Sequence, residues 1–317
     1  MKKKLLLPLL ALFAYTTITR ADQRQWDYQV DFRLRLDNRE YRSEYLSGRT
    51  FFGLRLVPEI RYKWGGNSLA AGADLTRDFG TRGNFQPDPE LLLNYKYDDR
   101  RNFRVCVGAF RRDEMSGFPS VFTASSKSFY DGVFHGFTVR WRGNGGMAEL
   151  IGDWYARRCF AGYFNGRVHL GQVYSHPLHL GTYTMMNRFD TAKHVLSYLF
   201  AGYELGRRHI RAGLLQSKES SGFMADVHWT WRSFGTGGIL YLGDSVMPLW
   251  AQYGSKLYFG DPLFRTTHGI YSRAEFSWQP HIGKGMSLRL SSLTHYDGRT
   301  LNWQQVVAFS ATIWRKN

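Results

Sequence analysis

The stretch Trp26-Asp27-Tyr28-Gln29-Val30-Asp31-Phe32-Arg33-Leu34-Arg35-Leu36 decides the fold. Its even positions are all apolar or aromatic, and its odd positions are all polar or charged. Successive side chains of a strand point to opposite faces, so this segment has one apolar face and one charged face. Eleven residues at ~3.3 Å each, tilted by about 40°, span roughly 28 Å, the thickness of a membrane's hydrocarbon layer. Strands of soluble sheets are usually shorter and less regular.

The pattern returns along the chain. Phe52, Leu54, Leu56, Ile60, Tyr62 and Trp64 alternate with Gly53, Arg55, Glu59, Arg61 and Lys63, and Gly65-Gly66-Asn67 supplies a tight turn. Leu69 to Leu75, Leu91 to Tyr97, Phe137 to Trp141, Phe223 to Trp231 and Val307 to Ile313 repeat it. Connections alternate too. Short ones fall near 64–67, 98–101, 142–147, 205–208, 233–236 and 280–285, and longer ones near 37–50, 79–88, 111–128, 186–194 and 244–267. Short turns at one end and long loops at the other are the habit of transmembrane barrels, with turns periplasmic and loops outside. With a tight outer loop at 157–160 and a periplasmic connection at 170–177, the expectation is an all-β antiparallel barrel of about 16 strands; the weak pattern over 158–195 leaves 14 open.

The N-terminus supports export. Met1-Lys2-Lys3-Lys4, the apolar run from Leu5 to Ala14 and the polar stretch ending Thr19-Arg20-Ala21 have the layout of a secretory signal peptide, which places a single barrel domain at 22–317. The apolar run is too short for a membrane-spanning helix. Aromatic residues make up 16% of the chain, enough to furnish interfacial belts, and 33 glycines suit tight turns. The formal charge of +16 would raise nucleic acid as a partner, but an exported chain rarely meets it. Lipopolysaccharide phosphates or an anionic lumen solute fit better. Cys106 and Cys159 are too few and too far apart to be a disulfide scaffold, and their pairing stays open.

A charge facing lipid at mid-membrane costs ~2–4 kcal/mol, so charged alternate positions must face the lumen. This assigns Arg33, Arg35, Arg55, Glu59, Arg61, Lys63, Asp74, Lys96, Arg140, Arg142 and Arg232 to the inner wall, a mixed network with a basic surplus. The long 244–267 connection gathers Trp250, Tyr253, Lys256, Tyr258, Asp261 and Arg265, which suits a constriction folded into the lumen or an external binding surface.

Three segments are distinctive: 253–265 (Tyr253-Gly254-Ser255-Lys256 through Arg265), 295–305 (His295-Tyr296-Asp297-Gly298 through Gln305) and 71–80 (Ala71-Gly72-Ala73-Asp74 through Gly80). Together they resemble outer-membrane barrels of Bacteroidota-type bacteria, a family that carries no assigned activity. The resemblance runs along most of the mature chain and implies fold and location. The ending departs from the common barrel pattern, because Trp314 is followed by Arg315-Lys316-Asn317.

Enzymatic constellations are thin. Ser291, Ser292, His295 and Asp297 cluster near a strand end, but positions i and i+4 of a strand lie ~13 Å apart, too far for Ser291 to reach His295. His176-Pro177-Leu178-His179 offers two imidazoles and no closing ligand, so no metal is expected. Gly243-Asp244-Ser245 lacks the strand-to-helix setting of a hydrolase nucleophile, and the glycine runs at 143–146 and 235–238 join strands. Trp64, Trp141, Trp154, Trp229, Trp278 and Trp314 read as membrane-interface residues. The expectation is therefore an outer-membrane, porin-like channel for small polar or anionic solutes, with no cofactor and no enzymatic role. Two alternatives stand beside it: a non-conducting accessory barrel working with an envelope lipoprotein, and a barrel hydrolase acting on lipid.

Overall fold

The computed structural model describes residues 25–42, 48–79, 88–114, 118–122, 127–156, 159–173, 176–189, 192–205, 208–244 and 268–316. Sixteen strands close on themselves in one antiparallel sheet. In chain order they are β1 (Gln25–Glu40), β2 (Arg49–Trp64), β3 (Asn67–Asp78), β4 (Glu90–Asp98), β5 (Phe103–Arg111), β6 (Val133–Gly143), β7 (Gly146–Ala156) and β8 (Cys159–Val173). The second half holds β9 (His176–Phe189), β10 (Ala192–Leu205), β11 (Arg208–Ser217), β12 (Ser221–Trp231), β13 (Phe234–Gly243), β14 (Ile270–Trp278), β15 (Met286–Tyr296) and β16 (Leu301–Lys316). Every strand pairs with its sequence neighbours, and β1 pairs with β16 from Asp27↔Lys316 to Glu40↔Trp303.

Alternation sets the register. In β1, Trp26, Tyr28 and Leu36 are exposed on the outer wall while Asp27, Asp31, Arg35 and Asp37 are buried inside. A one-residue slip would exchange the two sets, so the apolar face fixes the pairing. Pro58 interrupts the β2–β3 ladder, whose register passes from Leu56↔Leu75 to Glu59↔Gly72, because it has no N–H to donate.

Aromatic belts mark two levels. At the turn end, Trp26, Tyr62, Trp64 and Tyr95 form a chain of rings with centroids 4.8, 5.4 and 6.4 Å apart, and Tyr97–Phe103 continues it at 6.5 Å. At the loop end, Trp154 sits between Phe137 and Phe160, and Phe52 meets Phe79. Rings with an apolar body and a polar edge settle where hydrocarbon meets headgroups.

Two expectations need correction. The region 186–194 is not a long connection: β9 runs through Phe189 and β10 starts at Ala192. Its polar residues are strand residues near the loop end, where Arg188 is exposed. Arg232 is not on an inner strand face. It lies in the β12–β13 turn with φ 53°, and its guanidinium is 5.1 Å from the Trp231 ring.

Sixteen strands enclose a lumen that their own side chains cannot fill. Here it is filled from the wall and from a loop. Phe110, Phe134, Tyr163, Tyr183, Met185, Leu196, Tyr198, Phe200, Tyr241 and Tyr271 point inward and form one buried apolar cluster with Val121 and Phe122 of the β5–β6 connection.

Candidate functional site in the lumen

The described residues of the β5–β6 connection, 112–114, 118–122 and 127–132, lie inside the barrel and contact strands on opposite walls. Near β1, Arg33 Nη2 donates to Asp113 Oδ2 at 2.5 Å, and Arg111 joins Asp113 at 2.7 Å and also pairs with Asp31. Near β7, Arg112 donates to the Asp131 carbonyl at 2.7 Å and to Asp153 at 3.2 Å, with its guanidinium 3.8 Å from the Phe134 ring. Glu114 takes Lys96 at 3.3 Å and Arg104, and its carbonyl accepts Arg140 Nη2 at 2.9 Å. Across the lumen on β14, Arg273 Nη1 donates to Ser120 Oγ at 3.0 Å. The loop tip is apolar: the Phe118 ring meets Tyr163 and Tyr183 edge-on at 5.4 and 5.2 Å.

Two glycines make room for this loop. A Cβ on Gly53, which faces inward on β2, would meet Phe129 Cε1 at 2.5 Å and Tyr130 Oη at 2.9 Å. A Cβ on Gly132 would overlap the Arg55 guanidinium at 2.0 Å, where Arg55 Nη2 now donates to the Gly132 carbonyl at 3.2 Å. Arg55 is 1% exposed and forks onto Asp74 through Nε at 2.8 Å and Nη2 at 2.5 Å.

Beside the loop lies a cavity of about 380 Å³. Its wall carries the guanidinium side chains of Arg33, Arg35 and Arg289, the polar groups of Gln279, Ser287, Ser310 and Thr312, and Phe129 from the loop. Among the described residues, no carboxylate lines it. Arg35 leans on Asp37 at 3.1 Å and Arg289 on Glu275 at 2.6 Å. Arg33 pairs with Asp113, so each of the three arginines has a carboxylate neighbour.

The charged positions read from alternation fall as follows. Arg33, Arg35 and Arg55 contact the loop or the cavity, Glu59 pairs with Arg61, Lys63 with Asp27, Lys96 with Glu114, and Arg140 with Glu149 at 2.5 Å. Arg142 is exposed near the turn end of β6. Trp250, Tyr253, Lys256, Tyr258, Asp261 and Arg265 lie outside the described residues. The connection whose described residues lie in the lumen is the one between β5 and β6, one of the long connections, expected near 111–128.

Asp113 carries a pH consequence. Burial opposes its ionisation, but the Arg111 and Arg33 guanidiniums outweigh this and hold the carboxyl well below its ordinary 3.8. A carboxyl depressed on folding contributes its stabilisation above the unfolded value and loses it only as pH falls through the lower folded value. The clamp therefore stays charged from neutral pH down to about pH 4. Open-channel current measured between pH 8 and roughly pH 5 should not step at this clamp; a jump abolished by Asp113→Asn would contradict the assignment.

The serine–histidine set does not assemble. Buried His295 engages Tyr271 Oη through Nδ1 at 2.9 Å and Gln304 Oε1 through Nε2 at 3.3 Å, while Ser291 Oγ accepts Arg289 Nε at 3.1 Å. Gln304 passes the network on to Asp37 at 2.7 Å. His179 faces His169 with ring centroids 5.4 Å apart. Among the described residues, no three His, Cys, Asp or Glu side chains converge as metal ligands. A different pair emerges in the first half of the chain: half-exposed His135 on β6 places Nε2 3.4 Å from Glu90 Oε2, and its backbone N–H donates to Asp153 Oδ1 at 3.2 Å. Cys106 is buried, with Sγ 3.9 Å from Asn94 Oδ1.

Comparisons with known proteins add two findings. The folds of Pseudomonas aeruginosa OprD, OccK1 (OpdK) and OccK2 (OpdF) are similar to this one, at TM-scores of 0.54, 0.55 and 0.56 and identities of 9%, 10% and 8%. The matches cover 92%, 92% and 91% of this chain and 94%, 99% and 98% of theirs. No curated protein matches in sequence. Residues 18–159, just under half of the chain, match the model of a family described as lipid A 3'-O-deacylase-type. That description names an enzyme activity and overturns the expectation that the chain has no enzymatic role. The fold is similar to that of these outer-membrane barrels, and the first half of the sequence is similar to a deacylase family.

Proposed function

We propose that the barrel lies in the outer membrane, reached by export on residues 1–21, and that its lumen selects small anionic solutes as they pass loop 112–132. The Bacteroidota-type resemblance and the lipopolysaccharide surrounding its belts belong to the same reading. The observation that carries it is the cavity of about 380 Å³ whose wall, among the described residues, has three arginines and no carboxylate. A basic lining in a low-dielectric wall concentrates anions and sets selectivity. The test is reversal potential across a salt gradient in a planar bilayer. The wild-type barrel should be anion-selective, and Arg33→Gln with Arg289→Gln should cut the anion-to-cation permeability ratio by about threefold. An unchanged ratio would remove the cavity from the selectivity mechanism.

A second reading is ester hydrolysis on lipid, favoured by the family match. His135 is the one histidine of the matched segment, and Glu90 stands where an orienting carboxylate would act. A base within reach of an orienting acid is two-thirds of a hydrolytic triad. If the barrel releases fatty acid from lipid A, His135→Gln should lower the rate at least a hundredfold, whereas Ser291→Ala should leave it unchanged. Release that survives His135→Gln would remove this pair from the reaction.

A further inference from the structure

The arginine cavity exists because one strand carries small inner side chains between two strands that carry large ones. Arg289 on β15 and Arg35 on β1 both pair with Ala308 on β16, so one row across the wall reads Arg289, Ala308, Arg35. Two residues along, the neighbouring row reads Ser287, Ser310, Arg33. Adjacent strands lie ~4.8 Å apart, which sets the two arginines of the first row about 10 Å apart with only a methyl group between them. Ala308 and Ser310 therefore make a low floor, with guanidinium side chains on both sides of it.

The carboxylates beside these arginines orient them without covering the floor. Arg289 donates from Nη2 to Glu275 at 2.6 Å and from Nε to Ser291 Oγ at 3.1 Å, and Arg33 donates from Nη2 to Asp113. Among the described residues, nothing accepts a hydrogen bond from Nη1 of Arg33 or of Arg289, and the Arg289 side chain is 41% exposed. Gln279 Nε2 donates to Ser287 Oγ at 2.8 Å, which leaves the serine proton to donate elsewhere. Phe129 adds one aromatic ring from the loop.

An ion held between guanidiniums on opposite sides must accept hydrogen bonds on more than one side. A carboxylate presents both oxygens along one edge and is satisfied by a single guanidinium fork. A phosphate ester presents three acceptor oxygens around a tetrahedron and carries up to two charges. The cavity also exceeds what a bare oxyanion fills, because about 380 Å³ has room for roughly a dozen waters at ~30 Å³ each. Hydroxyls, an amide and one ring make up the rest of the wall, and they suit a polyhydroxyl body.

We propose that this cavity is a station for a sugar phosphate, with the phosphate between Arg289 and Arg35 over Ala308, and the sugar against Ser287, Ser310 and the Phe129 ring. The proposal rests on the reading of the lumen as anion-selective and names the solute class.

The test is calorimetric titration of the refolded full chain with glucose 6-phosphate, glucuronate and inorganic phosphate. Glucuronate keeps the sugar ring and carries a carboxylate where the first has a phosphate ester. Glucose 6-phosphate should bind about tenfold tighter than glucuronate, and several-fold tighter than inorganic phosphate. Arg289→Gln should weaken glucose 6-phosphate about tenfold and glucuronate less. Ala308→Leu raises the floor without altering any charge, and should abolish glucose 6-phosphate binding in a barrel that keeps its heat-modifiable gel migration. Equal affinities for glucose 6-phosphate and glucuronate would overturn the station, as would unchanged binding in Ala308→Leu. Inorganic phosphate that binds as tightly as glucose 6-phosphate would overturn the sugar's part in it. Reversal potential separates the two readings: an anion-selective barrel that binds no glucose 6-phosphate loses the station alone, whereas a barrel without anion selectivity loses both.

Discussion

Replacing Phe118, Val121 and Phe122 together with serine will raise single-channel conductance several-fold and leave the barrel folded. The three side chains anchor the loop tip in the apolar cluster of the inner wall, where Val121 and Phe122 are 0% exposed. Burying a side chain of this kind stabilises its position by roughly 1.5–3 kcal/mol, so three together outweigh the single Arg273–Ser120 hydrogen bond at the far wall. Without that anchor, the tip keeps the Arg273–Ser120 hydrogen bond and the ion pairs at its base, and the lumen beside Tyr163 and Tyr183 becomes open to water. The strands lose no pairing partner, so heat-modifiable migration on gels should be retained. Conductance equal to wild type would mean that this loop does not limit the pore.

Arg55→Ala should have the largest effect on stability. The Arg55 guanidinium is buried, forks onto Asp74 and holds the Gly132 carbonyl, which ties the loop's return to β2. Removing one partner of a buried pair leaves the other charge uncompensated, at a cost of about 3–5 kcal/mol. Thr76 Oγ1 keeps one hydrogen bond to Asp74 at 2.9 Å but brings no charge. The midpoint of the folded-to-unfolded transition in urea, followed by gel migration, should fall sharply in Arg55→Ala. Adding Asp74→Asn should recover part of the loss, because it removes the stranded carboxylate. A single variant as stable as wild type would show that the pair contributes no net stability.

The strand pattern was readable because the two faces of each strand meet different surroundings. Trp26 to Leu36 and Phe52 to Trp64 face an apolar exterior and a charged interior, so their alternation carries the fold directly. Strands β8 to β10 were harder for a physical reason. Their inner positions, Tyr163, Tyr183, Met185, Leu196, Tyr198 and Phe200, are as apolar as their outer ones, because the loop tip covers that wall. Alternation fades where both faces are covered by apolar material. The polar run around Arg188 and His194 then resembled a loop, although only residues 190–191 separate the two strands.

The same cause hid the site. The aromatic content suits interfacial belts, yet many of the rings point inward. A doubly apolar segment in a barrel otherwise charged inside is a signal that something docks there. The choice of loop was not legible, because it depends on Gly53 on β2 and Tyr183 on β9, which lie far from residues 112–132 in the chain. The arginine wall was partly legible. Arg33 and Arg35 follow from alternation, whereas Arg289 sits in a strand whose polar and apolar residues do not alternate as cleanly.

The central claim is that loop 112–132 is clamped across the lumen, and the Arg33–Asp113 pair at 2.5 Å is the contact that tests it most directly. Single-channel conductance should be measured for Arg33→Asp, for Asp113→Arg and for the two combined. Each single reversal places like charges together and should free the loop, raising conductance. The double reversal restores an opposite-charge pair and should return conductance toward wild type, a non-additive result that only contacting residues give. Conductance in the double variant that equals or exceeds the sum of the single effects, or no change in any of the three, would contradict the account.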